Sequence, residues 1–283
     1  MADRVERRSA AGPARPTGSP SRTAGFGVAM GAAGQHGFFG PARPRVFAHR
    51  GLTFDVPENT IAAFRRATDI GAQYIETDSQ VTSDGVAVLF HDDTLERITG
   101  DSRPIDSMTL RQLQAIDLGG DRVPTVAEAL DAFPETRFNI DVKAAGAAIP
   151  VARAVVEADA QDRVLVTSFS EQRRLATVAI AGSVATSPGL PLMARALPFA
   201  VLGDVTRVRR LLGGVDAVQV PRRFHGIPVV TRRSVATMHR AGIEVHVWTV
   251  NDEPTMRELL DLGVDGLVTD RADLALAVVA SRN

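Results

Sequence analysis

The chain has 283 residues, no cysteine and a formal net charge of -1, with 45% hydrophobic and 23% charged residues. This length and apolar content suit a globular protein built as one large barrel or as two ordinary domains. The cysteine count excludes disulfides, thiolate zinc sites and cysteine nucleophiles, and the near-zero charge argues against a nucleic-acid binder, which needs a basic face.

Residues 1–44 are rich in Ala, Gly, Pro, Ser and Arg and read as a disordered N-terminal tail. Their one weakly apolar stretch, over 24–34, is broken by glycines and lacks leucine, so it falls short of a secretory signal. No segment offers the roughly 20 apolar residues of a membrane-spanning helix. A cytoplasmic location is expected, without membrane contact. Order is expected from Arg45, giving a single domain over 45–283.

Val46-Phe47-Ala48 predicts a short strand that runs into His49-Arg50-Gly51. Pro57-Glu58-Asn59-Thr60 opens a helix in which Ile61, Phe64 and Ala67 recur at helical spacing, and Gly71 ends it. Residues 74–78 form a second strand, Asp84-Gly85 a turn, and residues 86–90 return as a hairpin partner. Beyond residue 137 the pattern alternates. Strands are predicted over 137–143, 163–168, 184–187, 217–220, 243–250 and 266–269. Helical sequence follows them over 149–158, 171–181, two pieces within 191–212, 232–241, 255–262 and 274–280. Alternation implies a parallel sheet. Eight strands, each followed by helical sequence, predict an α/β TIM (β/α)8 barrel with a small hairpin insertion after the second strand. An open doubly wound sheet is the alternative.

In a TIM barrel the chemistry sits at the C-terminal strand ends. Glu76 and Asp78 are two apart and share a face at one strand end; Asp141 and Lys143 do so at another. His49 and Arg50 end the first strand, and His91 follows the hairpin. Read one at a time, a carboxylate pair is a solvated face, His91-Asp92-Asp93 a turn, and Asp141 a partner for Lys143. Together, three carboxylates at strand ends repel unless neutralised, and a divalent cation with oxygen ligands, Mg²⁺ or Ca²⁺ rather than zinc, is the simplest counter-charge. Tyr74, Phe54 and His246 read as core residues, and His225 lies in a loop that can approach the mouth.

His49-Arg50-Gly51, Pro57-Glu58-Asn59-Thr60, Gly71-Ala72, Ile75-Glu76-Thr77-Asp78, Asp84-Gly85 and His91-Asp92 occur in this order. Ser168-Phe169, Trp248-Thr249-Val250-Asn251, Gly263-Val264-Asp265-Gly266 and Thr269-Asp270 continue the series. The set resembles the glycerophosphodiester phosphodiesterase family over residues 45–274. The resemblance implies a TIM barrel and a divalent metal. It also implies cleavage of a small-molecule glycerophosphodiester to glycerol 3-phosphate and an alcohol, with the glycerol hydroxyl available as an internal nucleophile. By matching positions it implies Glu76, Asp78 and Asp141 as metal ligands, His49 and His91 as the acid–base pair, Arg50 and Lys143 as phosphate contacts, and Trp248 at the substrate mouth. Asp141 departs from the glutamate common at its position, being one methylene shorter. The same groups would serve a phospholipase D-like reaction on lysophospholipid or sphingomyelin if an apolar channel accompanied them. Residues 190–202 are the candidate channel, although a buried barrel helix explains them more simply.

Overall fold

The structure is a computed structural model and describes residues 36–224 and 226–282. Eight runs rich in valine, isoleucine and phenylalanine become the barrel strands: β1 (Arg45–His49), β2 (Tyr74–Val81), β3 (Arg137–Val142), β4 (Val164–Thr167), β5 (Ala185–Thr186), β6 (Ala217–Pro221), β7 (Glu244–Trp248) and β8 (Gly266–Thr269). Their order in the sheet is β5-β4-β3-β2-β1-β8-β7-β6. Every neighbouring pair is parallel. The seam between β5 and β6 is bridged by Asp216 N donating to Thr186 O at 2.9 Å, so the sheet is a nearly closed barrel.

Helices pack outside after each strand: α1 (Ile61–Asp69), α2 (Val126–Ala132), α3 (Ala148–Glu157), α4 (Glu171–Ala181), α5 (Leu190–Leu202), α6 (Arg232–Ala241), α7 (Glu253–Asp261) and α8 (Ala272–Ala280), with a further short helix, Val205–Leu211, after α5 as the two helical pieces expected there required. Side-chain caps fix several starts. Thr60 accepts from Ala63 N before α1, Thr125 forms a full capping box with Glu128 before α2, and Asp252 accepts from Thr255 N before α7. No helix among the described residues is long and apolar enough to cross a membrane. Residues 190–202 form α5 and bury Met193, Ala196 and Ala200 against the barrel, as the simpler reading of that stretch required.

Two parts escaped the sequence reading. Between the hairpin strand Ala87–Leu89, antiparallel to β2, and β3, the chain forms three helices, Glu96–Thr99, Leu110–Gln114 and α2. After β6 it forms a small hairpin, Arg223–Phe224 with Ile227–Pro228. Both carry short, weakly periodic sequence, which is why they were not visible. His225, expected near the mouth, lies outside the described residues.

The expected boundary at Arg45 also moves. Residues 1–35 of the expected tail lie outside the described residues, but residues 36–44 are part of the barrel. Phe38 is fully buried and Phe39 nearly so; they cap the N-terminal end of the barrel against Phe47, Tyr74, Leu165 and Val268. Tyr74 Oη donates to Phe38 O at 2.8 Å, Arg45 Nη2 to Phe39 O at 3.0 Å and Arg137 Nε to Gly37 O at 3.1 Å. The composition of the segment is that of a tail, but two adjacent aromatic rings gain about 1.5–3 kcal/mol each by burial, which with these hydrogen bonds holds it on the barrel. Truncation through Gly40, which composition alone would rate neutral, removes part of the core.

Candidate active site

The corner after β1 is built around one glycine. Arg50 has φ 58° and Gly51 φ 91°, and a Cβ on Gly51 would lie 2.7 Å from the Ala63 carbonyl carbon. Only glycine allows this approach, which lets Leu52 N donate to Ala63 O at 2.9 Å and locks the corner onto α1. The result aims His49 and Arg50 at the end of β2. Register then does the rest: His49 pairs with Glu76 across β1 and β2, and Asp78 with Asp141 across β2 and β3.

The predicted residues meet at this end of the barrel. Lys143 Nζ bridges the two aspartates, 3.0 Å from Asp78 Oδ1 and 2.9 Å from Asp141 Oδ2. Arg50 Nε lies 3.0 Å from Asp78 Oδ2 in an ion pair without hydrogen-bond alignment, and Arg50 Nη1 donates to Glu58 at 3.0 Å. His49 Nε2 faces Glu76 Oε2 at 3.7 Å. His91 bonds Asp92 at 2.6 Å through Nδ1. Trp248 packs edge-on to Phe169 with ring centres 6.1 Å apart, and Lys143 Nζ stands 5.7 Å over the Phe169 ring.

Charge is unevenly compensated. Burial, the Asp78 charge and the Asp141 charge together push the Glu76 carboxyl up to about 8, against the pull of His49 and Arg50. Burial also raises Asp141, more than Lys143 lowers it. Burial acts on Asp78 the same way, but Lys143 and Arg50 outweigh it and hold that carboxyl below the usual range. Burial would lower His49 and Lys143, yet adjacent carboxylates raise both. Two buried carboxylate oxygens, Glu76 Oε2 and Asp141 Oδ1, have no hydrogen-bond partner. Oxygen donors of this kind fit a hard divalent cation. Among the described residues no three acidic or histidine side chains are already spaced as a cation cage, and Lys143 and Arg50 pair with Asp78.

Three residues that had been given no role complete the arrangement. Asp270, just past β8, bonds His49 Nδ1 at 2.6 Å, and Asn251 Nδ2 donates to the other Asp270 oxygen at 2.6 Å. Asn59 Nδ2 donates to Asp78 Oδ2 at 3.3 Å. All three lie inside the motifs that carry the resemblance, and the strand-end position of Asp270 was the signal available. Tyr74 and His246 are indeed interior, at the opposite end from the mouth: Tyr74 accepts from Arg45, and His246 bonds Glu244 at 3.1 Å. Phe54 is 56% exposed beneath the Arg271 guanidinium and is not a core residue.

Comparison with known proteins agrees with this geometry. The model of the glycerophosphoryl diester phosphodiesterase family matches residues 49–274, from His49 at the end of β1 into α8. A Mycobacterium tuberculosis protein named "Probable glycerophosphodiester phosphodiesterase 2" is 41% identical over 238 residues, covering 83% of this chain and 90% of its own. A glycerophosphodiester phosphodiesterase of Caldanaerobacter subterraneus is 29% identical over 252 residues, 83% of this chain and 97% of its own. An Oleispira antarctica phosphodiesterase, solved with the product sn-glycerol-3-phosphate, shares the fold with a TM-score of 0.70 at 24% identity, covering 84% of this chain and 97% of its own. With the family model spanning most of the chain and the strand-end site in place, the chain belongs to the glycerophosphoryl diester phosphodiesterase family.

Proposed function

We propose that this phosphodiesterase hydrolyses glycerophosphodiesters to glycerol 3-phosphate and an alcohol with Glu76, Asp78 and Asp141 holding one divalent cation, Mg²⁺ or Ca²⁺. The observation that carries this reading is the crowding of buried carboxyl groups: Glu76 is raised to about 8 beside Asp78 and Asp141, with unpartnered oxygens on Glu76 and Asp141. Desolvated carboxylates remain this close when a cation is there to be bound. When bound, the cation supplies Lewis-acid stabilisation to the phosphoryl oxygens.

Arg50 and Lys143 neutralise the phosphodiester charge that otherwise repels a nucleophile. His49 and His91 divide the proton transfers, one activating the attacking hydroxyl and the other protonating the leaving alcohol. His49 works through Nε2, because Nδ1 is engaged by Asp270. Trp248 and Phe169 line the alcohol side of the mouth. The absence of cysteine supports the cytoplasmic location proposed for it.

A second reading, a phospholipase D-like action on lysophospholipid or sphingomyelin, is favoured by one observation. Phe54, Phe169, Leu190, Phe224 and Ile227 are exposed large apolar residues, all in segments that follow barrel strands on the catalytic face. One experiment separates the readings. Metal-stripped protein is assayed on glycerophosphocholine, glycerophosphoethanolamine and lysophosphatidylcholine, with Mg²⁺, Ca²⁺ or Mn²⁺ returned singly. The first reading expects activity to vanish on chelation, return with metal and favour the two water-soluble diesters. Full activity in chelator refutes the metal assignment, and preference for the lysolipid establishes the second reading.

A further inference from the structure

The chain contains the same clamp twice. Asn59 sits two residues before α1, whose N-cap is Thr60; Asn251 sits two residues before α7, whose N-cap is Asp252. Each helix has nine residues, and each is followed by a glycine, Gly71 or Gly263, and then by a strand with a Thr-Asp pair, Thr77-Asp78 inside β2 and Thr269-Asp270 at the end of β8. The spacing from Asn to Thr is 18 residues in both, and from Asn to Asp 19. The bonds repeat as well. Asn59 Oδ1 accepts from Thr77 Oγ1 at 2.7 Å and Asp78 N at 3.4 Å, while its Nδ2 donates to Asp78 Oδ2 at 3.3 Å. Asn251 Oδ1 accepts from Thr269 Oγ1 at 3.1 Å and Asp270 N at 2.9 Å, while its Nδ2 donates to Asp270 Oδ2 at 2.6 Å.

In the first copy the clamped carboxylate is Asp78, which lies within the site among Lys143 and Arg50. In the second copy the clamped carboxylate is Asp270, and its free oxygen bonds His49 Nδ1 at 2.6 Å. We propose that Asn251 and Asp270 are positioning residues: Asn251 holds the Asp270 carboxylate in place, and Asp270 keeps a proton on His49 Nδ1, so that Nε2 is the nitrogen left aimed at the reaction. This rests on the role of His49 given above. The Asp270 side chain is 46% exposed, so without the Asn251 amide it turns into water and releases the imidazole. A carboxylate on the far nitrogen of a working histidine fixes both ring orientation and tautomer, and an outer partner of this kind is worth about 10–100-fold. Sequence position hid the device, since Asn251 and His49 are 202 positions apart, yet the repeated 18-residue spacing is legible once the first clamp is known.

The test measures His49 ring ¹⁵N shifts at one fixed pH, together with kcat and KM, in full-length metal-loaded enzyme. The variants are Asp270→Ala, Asn251→Ala, Asn251→Asp and the double Asp270→Ala/Asn251→Ala. Asn251→Asp retains the Oδ1 acceptor for Thr269 and the backbone but puts an oxygen against Asp270 Oδ2, so it keeps the structural bonds and breaks only the clamp. Expected are a single Nδ1–H tautomer in the wild type and mixed tautomers in the variants. kcat falls about 10–100-fold with KM within about twofold, and the double variant is no worse than Asp270→Ala alone. Wild-type tautomer and kcat in both Asn251→Asp and Asp270→Ala, alongside an inactive His49→Ala, overturn the clamp and leave the role of His49 intact. A fully active His49→Ala overturns that role and the clamp with it.

Discussion

At the N-terminal end of the barrel, Glu244 is held by Arg45 through two bonds of 2.9 Å and by His246 at 3.1 Å. Burial would raise its carboxyl, but those partners pull it down to about 2. Asp265 nearby is satisfied in the same way by Arg43 at 2.5 Å, His239 at 2.7 Å and Val245 N at 2.8 Å. At the C-terminal end the same residue types are left in deficit, and Glu76 is pushed up to about 8. The difference is not one of composition. Glu244 at the floor meets bidentate arginine geometry and stabilises the fold, whereas Glu76 at the mouth faces other carboxylates and stores an affinity for cations. One end is built to hold the barrel closed, the other to bind.

The largest effect that tests this contrast is catalytic. His49→Ala and His91→Ala are each expected to lower turnover about 10²–10⁴-fold with the melting temperature nearly unchanged. The measurement is kcat beside a thermal melt, and near-wild-type turnover in either folded variant removes that histidine from the mechanism.

The floor should show the opposite pattern. Arg45→Ala leaves Glu244 without its bidentate partner and frees Phe39 O and Tyr74, and is expected to cost about 3–5 kcal/mol. For a chain of this size that lowers the melting temperature by roughly 10 °C, while kcat of the folded fraction stays at the wild-type value. A parallel loss of kcat would mean that the two ends are coupled. The pH dependence has a definite sign. Glu244 has a folded value below its ordinary 4.5, so its contribution is complete above about 4.5 and is lost as pH falls toward 2. Glu244→Gln should therefore flatten the acid side of the stability curve.

The smallest effect is a gain. In chelator, Glu76→Gln removes the charge that burial and its neighbours disfavour, and is expected to stabilise the protein by about 1–3 kcal/mol at pH 8 while abolishing metal-dependent activity. Because Glu76 is raised, the folded state keeps its proton longer than the unfolded chain, and stability falls as pH climbs from about 4.5 to 8. The gain should thus shrink toward pH 4.5. An equal gain at both pH values would locate the cause in packing rather than charge.

The sequence alone determined the eightfold alternation of strand and helix and the strand-end parity of Glu76 with Asp78 and Asp141 with Lys143. These follow from periods of 2 and 3.6 residues, both local in the chain. Phe38 and Phe39 show where local reading ends. Their neighbours have the composition of a tail, and only the closed barrel offers the cavity that orders them. The Lys143 bridge between Asp78 and Asp141, the bond from Asp270 to His49 and the Arg45–Glu244 lock were decided by tertiary structure. Each joins residues on different strands, and strand order with parallel register sets those distances, which no window of sequence contains.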